Sequence, residues 1–147
     1  MSTPAPLTAL NRAIRENDLD EVTRQLAPEP GMRAVEFAPG LSRWEWEASA
    51  AHVINPFGFV RGGYLSVFAG AVIDSAIGTV LADGELATTA EMKIAYLKPA
   101  KPGVLHGEGN VVQKGSRVAF VEARIANAAG DPVASVTSTW TIMRAGS

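Results

Sequence analysis

The sequence predicts an α+β fold in which an antiparallel sheet of about six strands packs against one long helix. Apolar residues recur at alternating steps of three and one from Leu65 to Leu81, the spacing of a helix face that points into a core. Before and after that segment, apolar and polar residues alternate instead, which is typical of strands with one buried face. A chain of 147 residues, 47% of them apolar, can bury such a core as one domain.

The amino-terminal segment is predicted to be helical. Apolar residues recur among charged ones from Leu7 to Leu26, as in an amphipathic helix, and the Pro- and Gly-containing residues 27–31 end it. We therefore expect a helical extension over residues 1–30 and a main domain over residues 31–147.

Strands are predicted on both sides of the long helix, which Asp83 and Gly84 should end. In one of them Trp44 and Trp46 alternate with charged residues, so this strand should turn a tryptophan face to the core. The predicted strands are Met32 to Phe37 and Leu41 to Ala48 before the helix, and Met92 to Tyr96, Gly103 to Gln113, Arg117 to Ala126 and Ala134 to Ile142 after it.

Composition argues against several kinds of protein. The net charge of -2, without long runs of either sign, makes nucleic acid an unexpected partner. The chain has no cysteine, which excludes disulfides and thiolate chemistry. Met1 to Leu10 lacks the pattern of a secretory signal, so a cytoplasmic location is expected. The apolar stretch Tyr64 to Ala82 contains a charged residue, Asp74, and is predicted to be a buried helix with no role in a membrane.

Metal and serine-nucleophile chemistry are not expected. His52 and His106 are isolated from each other and from acidic residues at ligand spacing, so no metal site is predicted. The chain has no Gly-x-Ser-x-Gly turn of the kind that serine hydrolases use.

Five segments of the chain form a recognisable set: residues 55–65 (NPFGFVRGGYL), 74–78 (DSAIG), 88–99 (TTAEMKIAYLKP), 114–117 (KGSR) and 132–140 (PVASVTSTW). Together they resemble hotdog-fold thioesterases of the phenylacetate-pathway, or PaaI-like, group. The resemblance implies the hotdog fold and a homodimer, possibly a dimer of dimers, that hydrolyses acyl-CoA thioesters at the subunit interface. It implies no cofactor, because coenzyme A enters as part of the substrate.

The resemblance also implies roles for individual residues. In this group a carboxylate of the long helix is the general base or nucleophile, and the glycine amides at the helix start polarise the thioester carbonyl. An Asn of the preceding loop and a Ser or Thr of the partner's facing strand help to place water. Asn55, Gly62, Gly63 and Thr89 stand at the matching positions.

Two positions depart from the pattern of this group. Arg61 stands where the group has His or Gln, and Gly70 stands where it has the catalytic carboxylate. The nearest acid is Asp74, one helical turn later. Either Asp74 replaces the usual carboxylate, or the usual carboxylate is absent.

Asp74 has a chemical argument of its own. It shares a line of the helix with the small residues Ser66, Gly70 and Gly78, which would leave space beside the carboxylate. Partial removal from water raises the pKa of a carboxylate, which suits a base that works near neutral pH. The alternative is a structural role, in which Asp74 bonds a donor across an interface.

The remaining candidate residues have similar pairs of interpretations. Gly62 and Gly63 open the helix, where unpaired amides could stabilise an oxyanion, or they merely permit a tight turn. Arg61 could bind an anionic ligand group or pair with Asp74 or Glu91. The other candidates for substrate contacts are Tyr64 and Gly70 beside the acyl group, and Lys114 and Arg117 at a hairpin tip. A nucleotide phosphate could rest at that tip, or the two residues are simply solvated there.

The leading hypothesis is therefore hydrolysis of an acyl-CoA thioester. Its main rival is a hotdog protein that binds an acyl-CoA or related ligand without turning it over. A hotdog dehydratase or isomerase ranks lower, because neither histidine is expected to adjoin the helix start.

Overall fold

The computed structural model describes residues 5–144 and consists of three α-helices and six strands over that range. The helices are Ala5–Arg15 (α1), Leu19–Leu26 (α2) and Gly62–Gly78 (α3), and a short 3-10 turn spans Ala51–Val53. The strands are Met32–Ala38 (β1), Leu41–Ala48 (β2), Glu85–Tyr96 (β3), Gly103–Lys114 (β4), Val118–Asn127 (β5) and Pro132–Arg144 (β6). They form one antiparallel sheet in the order β1-β2-β4-β5-β6-β3, so β1 and β3 are its edges.

The long helix α3 and the inner face of the sheet make the core. The tryptophan face predicted for β2 is confirmed, since Trp44 and Trp46 are both buried. The Trp46 ring lies 5.6 Å from the Phe68 ring of α3, measured between centroids. The indole Nε1 of Trp44 donates a hydrogen bond to Ser75 Oγ of α3 at 2.8 Å, which satisfies the polar atom of a buried side chain.

Two glycines of β4 allow α3 to lie directly on the sheet. A Cβ atom at Gly107 would come within 2.6 Å of Val72 Cγ2 and 3.1 Å of the Phe68 ring. A Cβ atom at Gly109 would lie 2.8 Å from Ser42 Oγ, which itself donates to the Val72 carbonyl at 2.6 Å. The helix therefore occupies the space that side chains at these two positions would fill.

The amino-terminal extension contains two helices, so the prediction of one helix from Leu7 to Leu26 is wrong in this respect. The chain turns at Asn17, which has a φ of 55°, a conformation that Asn tolerates better than most residues. Asp18 then caps α2 by accepting a hydrogen bond from the Glu21 amide at 3.4 Å. The boundary between residues 30 and 31 stays a prediction.

The extension covers the β1 edge of the sheet. Asn17 Oδ1 accepts a hydrogen bond from the Phe37 amide at 2.8 Å, and Thr23 Oγ1 accepts one from the Ala34 amide at 2.9 Å. These bonds occupy backbone donors that an unprotected edge strand would offer to another strand.

Helix α3 ends about one turn before the predicted stop at Asp83 and Gly84. Its last residue is Gly78, and the Thr79 hydroxyl accepts a hydrogen bond from the Gly40 amide at 2.8 Å. Beyond it, Arg15 donates to the Leu81 carbonyl at 3.0 Å. These long-range bonds hold the chain out of the helix.

No helix among residues 5–144 is long and apolar enough to cross a membrane.

Strand β3 begins earlier than predicted and contains a bulge at Ala90. The bulge shifts the pairing with β6, so that Thr89 lies opposite Trp140 and Met92 opposite Ser138. Directly opposed residues of an antiparallel pair share a face of the sheet. Because Trp140 and Ser138 are buried on the inner side, Thr89 and Met92 point to the helix side of the sheet as well.

Substituting Gly107 by alanine should destabilise the fold. The added methyl group must displace Val72 or Phe68, and overpacking of this kind costs about 1–3 kcal/mol. Urea unfolding should give a lower midpoint at an unchanged m-value. Asn110→Ala on the same strand, at an exposed position, is the control and should stay within about 0.5 kcal/mol of wild type. Equal midpoints for Gly107→Ala and wild type would contradict the close packing of α3 on β4.

Candidate functional site

One stripe of α3 faces away from the sheet. It consists of Gly63, Val67, Gly70 and Asp74, which follow one another at helical spacing. Val67 is 37% exposed. At Gly63 and Gly70, no atom beyond the neighbouring residues of the helix lies within 4 Å of the position that a Cβ would take. The core helix of this fold therefore presents an open surface with one carboxylate.

The Asp74 carboxylate stands on this stripe without a partner. Within residues 5–144 it makes no hydrogen bond and no ion pair, although part of its surface reaches solvent. Partial burial raises the pKa of Asp74 to about 6, which agrees in direction with the sequence argument. A carboxylate with this pKa is ionised at neutral pH and is a stronger base than an ordinary aspartate.

The line of small residues beside Asp74 is only partly open. Ser66 and Gly70 are half-buried and leave space, as predicted. Gly78 is buried instead, because a Cβ there would meet Ile14 Cδ1 of α1 at 2.6 Å. The expectation that Gly78 leaves space for a ligand is therefore wrong, since the amino-terminal extension fills that space.

The start of α3 offers two unpaired amides. Arg61 is the N-cap, and its carbonyl accepts from the amides of Tyr64 and Leu65 at 3.0 and 3.1 Å. The Gly62 and Gly63 amides precede these and have no acceptor among the described residues. They lie at the positive end of the helix dipole, where a developing negative charge is stabilised.

The loop before α3 is held by Asn55. Its Oδ1 atom accepts hydrogen bonds from the amides of Phe57 and Phe59 at 2.9 and 3.0 Å. Its side-chain oxygen is thus used to shape the loop, while the amide nitrogen has no partner among residues 5–144. Asn55 and Gly62 line the same surface cavity, which has a volume of about 360 Å³.

Tyr96 lies in this cavity and was not among the predicted site residues. Its hydroxyl donates a hydrogen bond to the Gly62 carbonyl at 2.9 Å, and its ring covers the Cα of Gly62. In the sequence, Met92, Ile94 and Tyr96 occupy every second position, which predicts that they share one face of the strand. That pattern indicates a side chain pointing toward the helix, but it does not identify the residue that it meets.

A single chain does not bring all candidate residues together. Gly63 and Asp74 are eleven positions apart on a continuous helix, which separates them by roughly 16 Å along its axis. Arg61 lies still farther from Asp74, so these two side chains do not pair within the chain. Glu91 does not pair with Arg61 either, and instead accepts from the Thr139 hydroxyl at 3.3 Å.

Lys114 and Arg117 lie at the other end of α3 from Gly62. They flank the tip of the β4–β5 hairpin, where the Ile142 amide donates to the Arg117 carbonyl at 2.8 Å. Lys114 Nζ lies 3.0 Å from Glu85 Oε1, a carboxylate that is buried at the start of β3. This ion pair gives Lys114 a structural partner, whereas the Arg117 side chain is exposed.

Tyr64 and His52 lie together beside the first turn of α3. Their rings meet edge to face with centroids 5.6 Å apart, and His52 Nε2 lies 2.8 Å from Glu29 Oε2. The expectation that neither histidine adjoins the helix start is therefore wrong for His52. The 3-10 turn at Ala51–Val53 brings it there, which the linear distance from Gly62 did not indicate.

A second cavity, of about 440 Å³, lies on the outer face of the sheet, away from α3. Arg43 pairs there with Glu108 at 3.1 Å, and His106 Nδ1 lies 3.7 Å from Glu45 Oε1. Cross-strand contacts of this kind are typical of a solvated sheet face. Within residues 5–144 no three His, Asp or Glu side chains converge as a metal site would require.

Solved structures resemble this fold over most of its length. A phenylacetic acid degradation-related protein from Ralstonia eutropha is 25% identical, with a TM-score of 0.72 over 89% of this chain and 98% of that chain. A protein from Streptococcus mutans, solved bound to acetyl CoA, is 27% identical, with a TM-score of 0.69 over 76% of this chain and 87% of that chain. The PaaI protein of Escherichia coli is 18% identical and supports the fold alone, with a TM-score of 0.73 over 91% and 97% of the two chains.

The family comparison agrees with these likenesses. No curated protein sequence matches the chain significantly. The predicted hotdog fold and the resemblance to PaaI-like proteins are confirmed by the structural neighbours. Residues 57–134, more than half of the chain, match the model of the thioesterase superfamily. The matched residues include the whole of α3 and strands β3 to β5. The chain therefore belongs to the thioesterase superfamily.

Proposed function

We propose that this protein hydrolyses acyl-CoA thioesters to a free acid and coenzyme A as a homodimer with shared active sites. The observation that carries the proposal is the unpartnered Asp74 carboxylate, with its raised pKa, on the exposed stripe of the helix whose first amides are also unpaired. The superfamily is one of thioester hydrolases, and the Streptococcus mutans neighbour holds acetyl CoA. No cofactor is required for this chemistry.

The spacing of the stripe favours a two-fold pairing of α3 with its copy. If two α3 helices run antiparallel across a symmetry axis, Gly63 of one faces Asp74 of the other, and Val67 faces Gly70 by the same symmetry. Val67 projects and Gly70 leaves open space, so these two are complementary in shape. Within one chain, the Gly63 amide and the Asp74 carboxylate are roughly 16 Å apart along the helix. In this pairing the amide of one protomer lies opposite the carboxylate of its partner.

The same pairing would join the two halves of the site. The loop with Asn55 and the amides of Gly62 and Gly63 come from one protomer, and Asp74 comes from its partner. The β4–β5 tip with Arg117 lies at the Asp74 end of the helix, so it would also approach the partner's helix start. Thr89 faces the helix side of β3 and is exposed there, so a second copy would cover it.

The reaction follows from these positions. The thioester carbonyl oxygen accepts hydrogen bonds from the Gly62 and Gly63 amides, while Asp74 of the partner removes a proton from water. The water oxygen bonds to the carbonyl carbon, and the amides stabilise the negative charge that forms on the carbonyl oxygen. The carbon–sulfur bond then breaks, and the coenzyme A sulfur leaves with the proton that Asp74 held. Tyr64, in the first turn of α3, would contact the acyl group, whereas Gly70 would receive Val67 of the partner.

A non-catalytic acyl-CoA binder is the alternative. It is favoured by Gly70 at the position where PaaI-like proteins carry their carboxylate, and by Arg61, whose side chain has no partner within residues 5–144 and is exposed. Measurable binding of a panel of acyl-CoAs without turnover of any of them would support this alternative. An enoyl-CoA in the same panel tests the dehydratase hypothesis, because a dehydratase would hydrate it. His52, which lies near the helix start, would be the candidate acid or base for that reaction.

Replacing Asp74 by asparagine should reduce kcat by about a hundredfold or more, because asparagine cannot accept the proton of the attacking water. Steady-state hydrolysis of the best acyl-CoA substrate measures this. Glu122→Gln, an exposed carboxylate on the outer face of β5, is the matched control and should retain wild-type kcat. An unchanged kcat in Asp74→Asn would remove Asp74 from the mechanism.

The pH profile provides a second readout of the same variant. Because the folded pKa of Asp74 is raised to about 6, wild-type kcat should fall as pH drops through that value and reach a plateau above it.

The stability of the same variant gives a separate prediction. By linkage, ionising Asp74 costs folding stability at neutral pH, so Asp74→Asn should unfold at no lower temperature than wild type at pH 7. A lower midpoint would indicate that Asp74 has a stabilising partner.

Substituting Gly70 by leucine should dissociate the dimer without unfolding the protomer. The side chain enters open space in a single chain, but it would fill the hole that receives Val67 of the partner. Sedimentation velocity should detect a monomer with an unchanged circular dichroism spectrum, and hydrolysis should be lost. A dimer that persists at micromolar concentration with full activity would contradict the proposed interface. Asn110→Ala, on the outer face of β4, serves as the dimeric control.

A further inference from the structure

Tyr96 contacts the peptide group that carries one of the two unpaired amides. The carbonyl of Gly62 and the amide of Gly63 belong to the same planar peptide unit and point in opposite directions. The Tyr96 hydroxyl donates to that carbonyl at 2.9 Å, while the Gly63 amide has no acceptor among the described residues. One end of the unit is thus held by the protein, and the other end is open.

We propose that Tyr96 is a positioning residue that orients and polarises the Gly62–Gly63 peptide, so that the Gly63 amide becomes a fixed and stronger donor to the thioester oxygen. This inference rests on the proposed function for its effect on catalysis. The hydrogen bond draws electron density toward the Gly62 oxygen and leaves the Gly63 N–H more positive, as in any chain of hydrogen bonds. A preorganised donor needs no rearrangement when charge develops on the oxygen.

The contact is built into the packing of the two elements. A Cβ atom at Gly62 would lie 3.1 to 3.3 Å from the Tyr96 ring carbons and hydroxyl, closer than side chains normally approach. Tyr96 stands at the end of β3, opposite the buried Ala134 of β6, and therefore on the face of the sheet that looks toward the helix. Gly62 is thus the residue that allows the ring to approach, and the sheet fixes where the ring lies.

The geometry also separates Tyr96 from a substrate-binding role. Its hydroxyl is committed to the Gly62 carbonyl. The space left open at the helix start lies at Gly63, where no atom beyond the neighbouring residues of the helix is within 4 Å of a Cβ position. The ligand is therefore expected to meet the Gly63 amide, and Tyr96 to act through the peptide between them. This arrangement predicts an effect on the chemical step and little effect on substrate binding.

Tyr96→Phe tests the inference, because it removes the hydroxyl and keeps the ring. We expect kcat to fall about three- to tenfold, the effect of losing one hydrogen bond that acts on the transition state, while KM changes less than about twofold. Thr88→Val is the matched control, since it removes an exposed hydroxyl from the opposite face of the same strand. It should leave both constants at wild-type values.

Nuclear magnetic resonance of the same two variants gives a readout that does not depend on turnover. Loss of the hydrogen bond should move the Gly62 carbonyl carbon and the Gly63 amide nitrogen upfield in Tyr96→Phe and leave them unchanged in Thr88→Val. If wild type turns over no acyl-CoA, the proposed function fails, and these two resonances alone decide whether Tyr96 acts on the peptide. Unmoved resonances, an unchanged kcat in an active enzyme, or a rise in KM at constant kcat would each overturn the assignment.

Discussion

Gly107 and Gly109 let α3 lie directly on β4, and the positions of the candidate site residues on α3 follow from that contact. The helix is buried on the side that meets the sheet, so the opposite stripe, from Gly63 to Asp74, is left without a covering element. Val67 is the apolar part of this stripe and is 37% exposed, so leaving it in water costs free energy. In the proposed dimer, a second copy of the chain would cover it.

The two edges of the sheet, β1 and β3, differ in how far their exposed backbone is covered. Side chains of the amino-terminal extension bind the backbone amides of β1, so that edge has fewer donors to offer a further strand. Strand β3 is the other edge, and its inner face carries Thr89 and Tyr96, both exposed. In the proposed dimer, association would therefore use the side of the molecule where the open stripe of α3 and the candidate site lie.

Much of the fold was predictable from the sequence because burial imposes a period. The apolar stripe of α3 and the tryptophans of β2 repeat as their elements require, and the structure confirms both. The end of α3 was not predictable in this way, because a distant partner sets it: the Thr79 hydroxyl accepts from the Gly40 amide, and this contact leaves no local pattern. The break at Asn17 does have a local signal, an Asn that tolerates a positive φ followed by Asp18 as an N-cap, but the apolar spacing from Leu7 to Leu26 continues across it.

The candidate site was predictable in its residue types more than in its arrangement. A lone carboxylate in an apolar helix and paired glycines at its start are visible in the sequence, and the raised pKa of Asp74 agrees with the expected burial. Their separation along the helix axis is also implied by spacing. The proposal of a site shared by two chains, however, depends on knowing which stripe of α3 is open, and the sequence alone does not give this. Tyr96 was missed because the bond that reveals it joins residues 34 positions apart.

Complementation between two inactive variants tests the shared site most directly. Asp74→Asn lacks the base, and Gly63→Pro lacks the amide at a helix position where proline is tolerated. Separately purified, each should be inactive. If the two are unfolded and refolded together as an equal mixture, half of the dimers are mixed and each mixed dimer has one intact site, so about one quarter of wild-type activity should return. No recovery from a mixture that contains mixed dimers would contradict an active site built from Gly63 of one protomer and Asp74 of its partner.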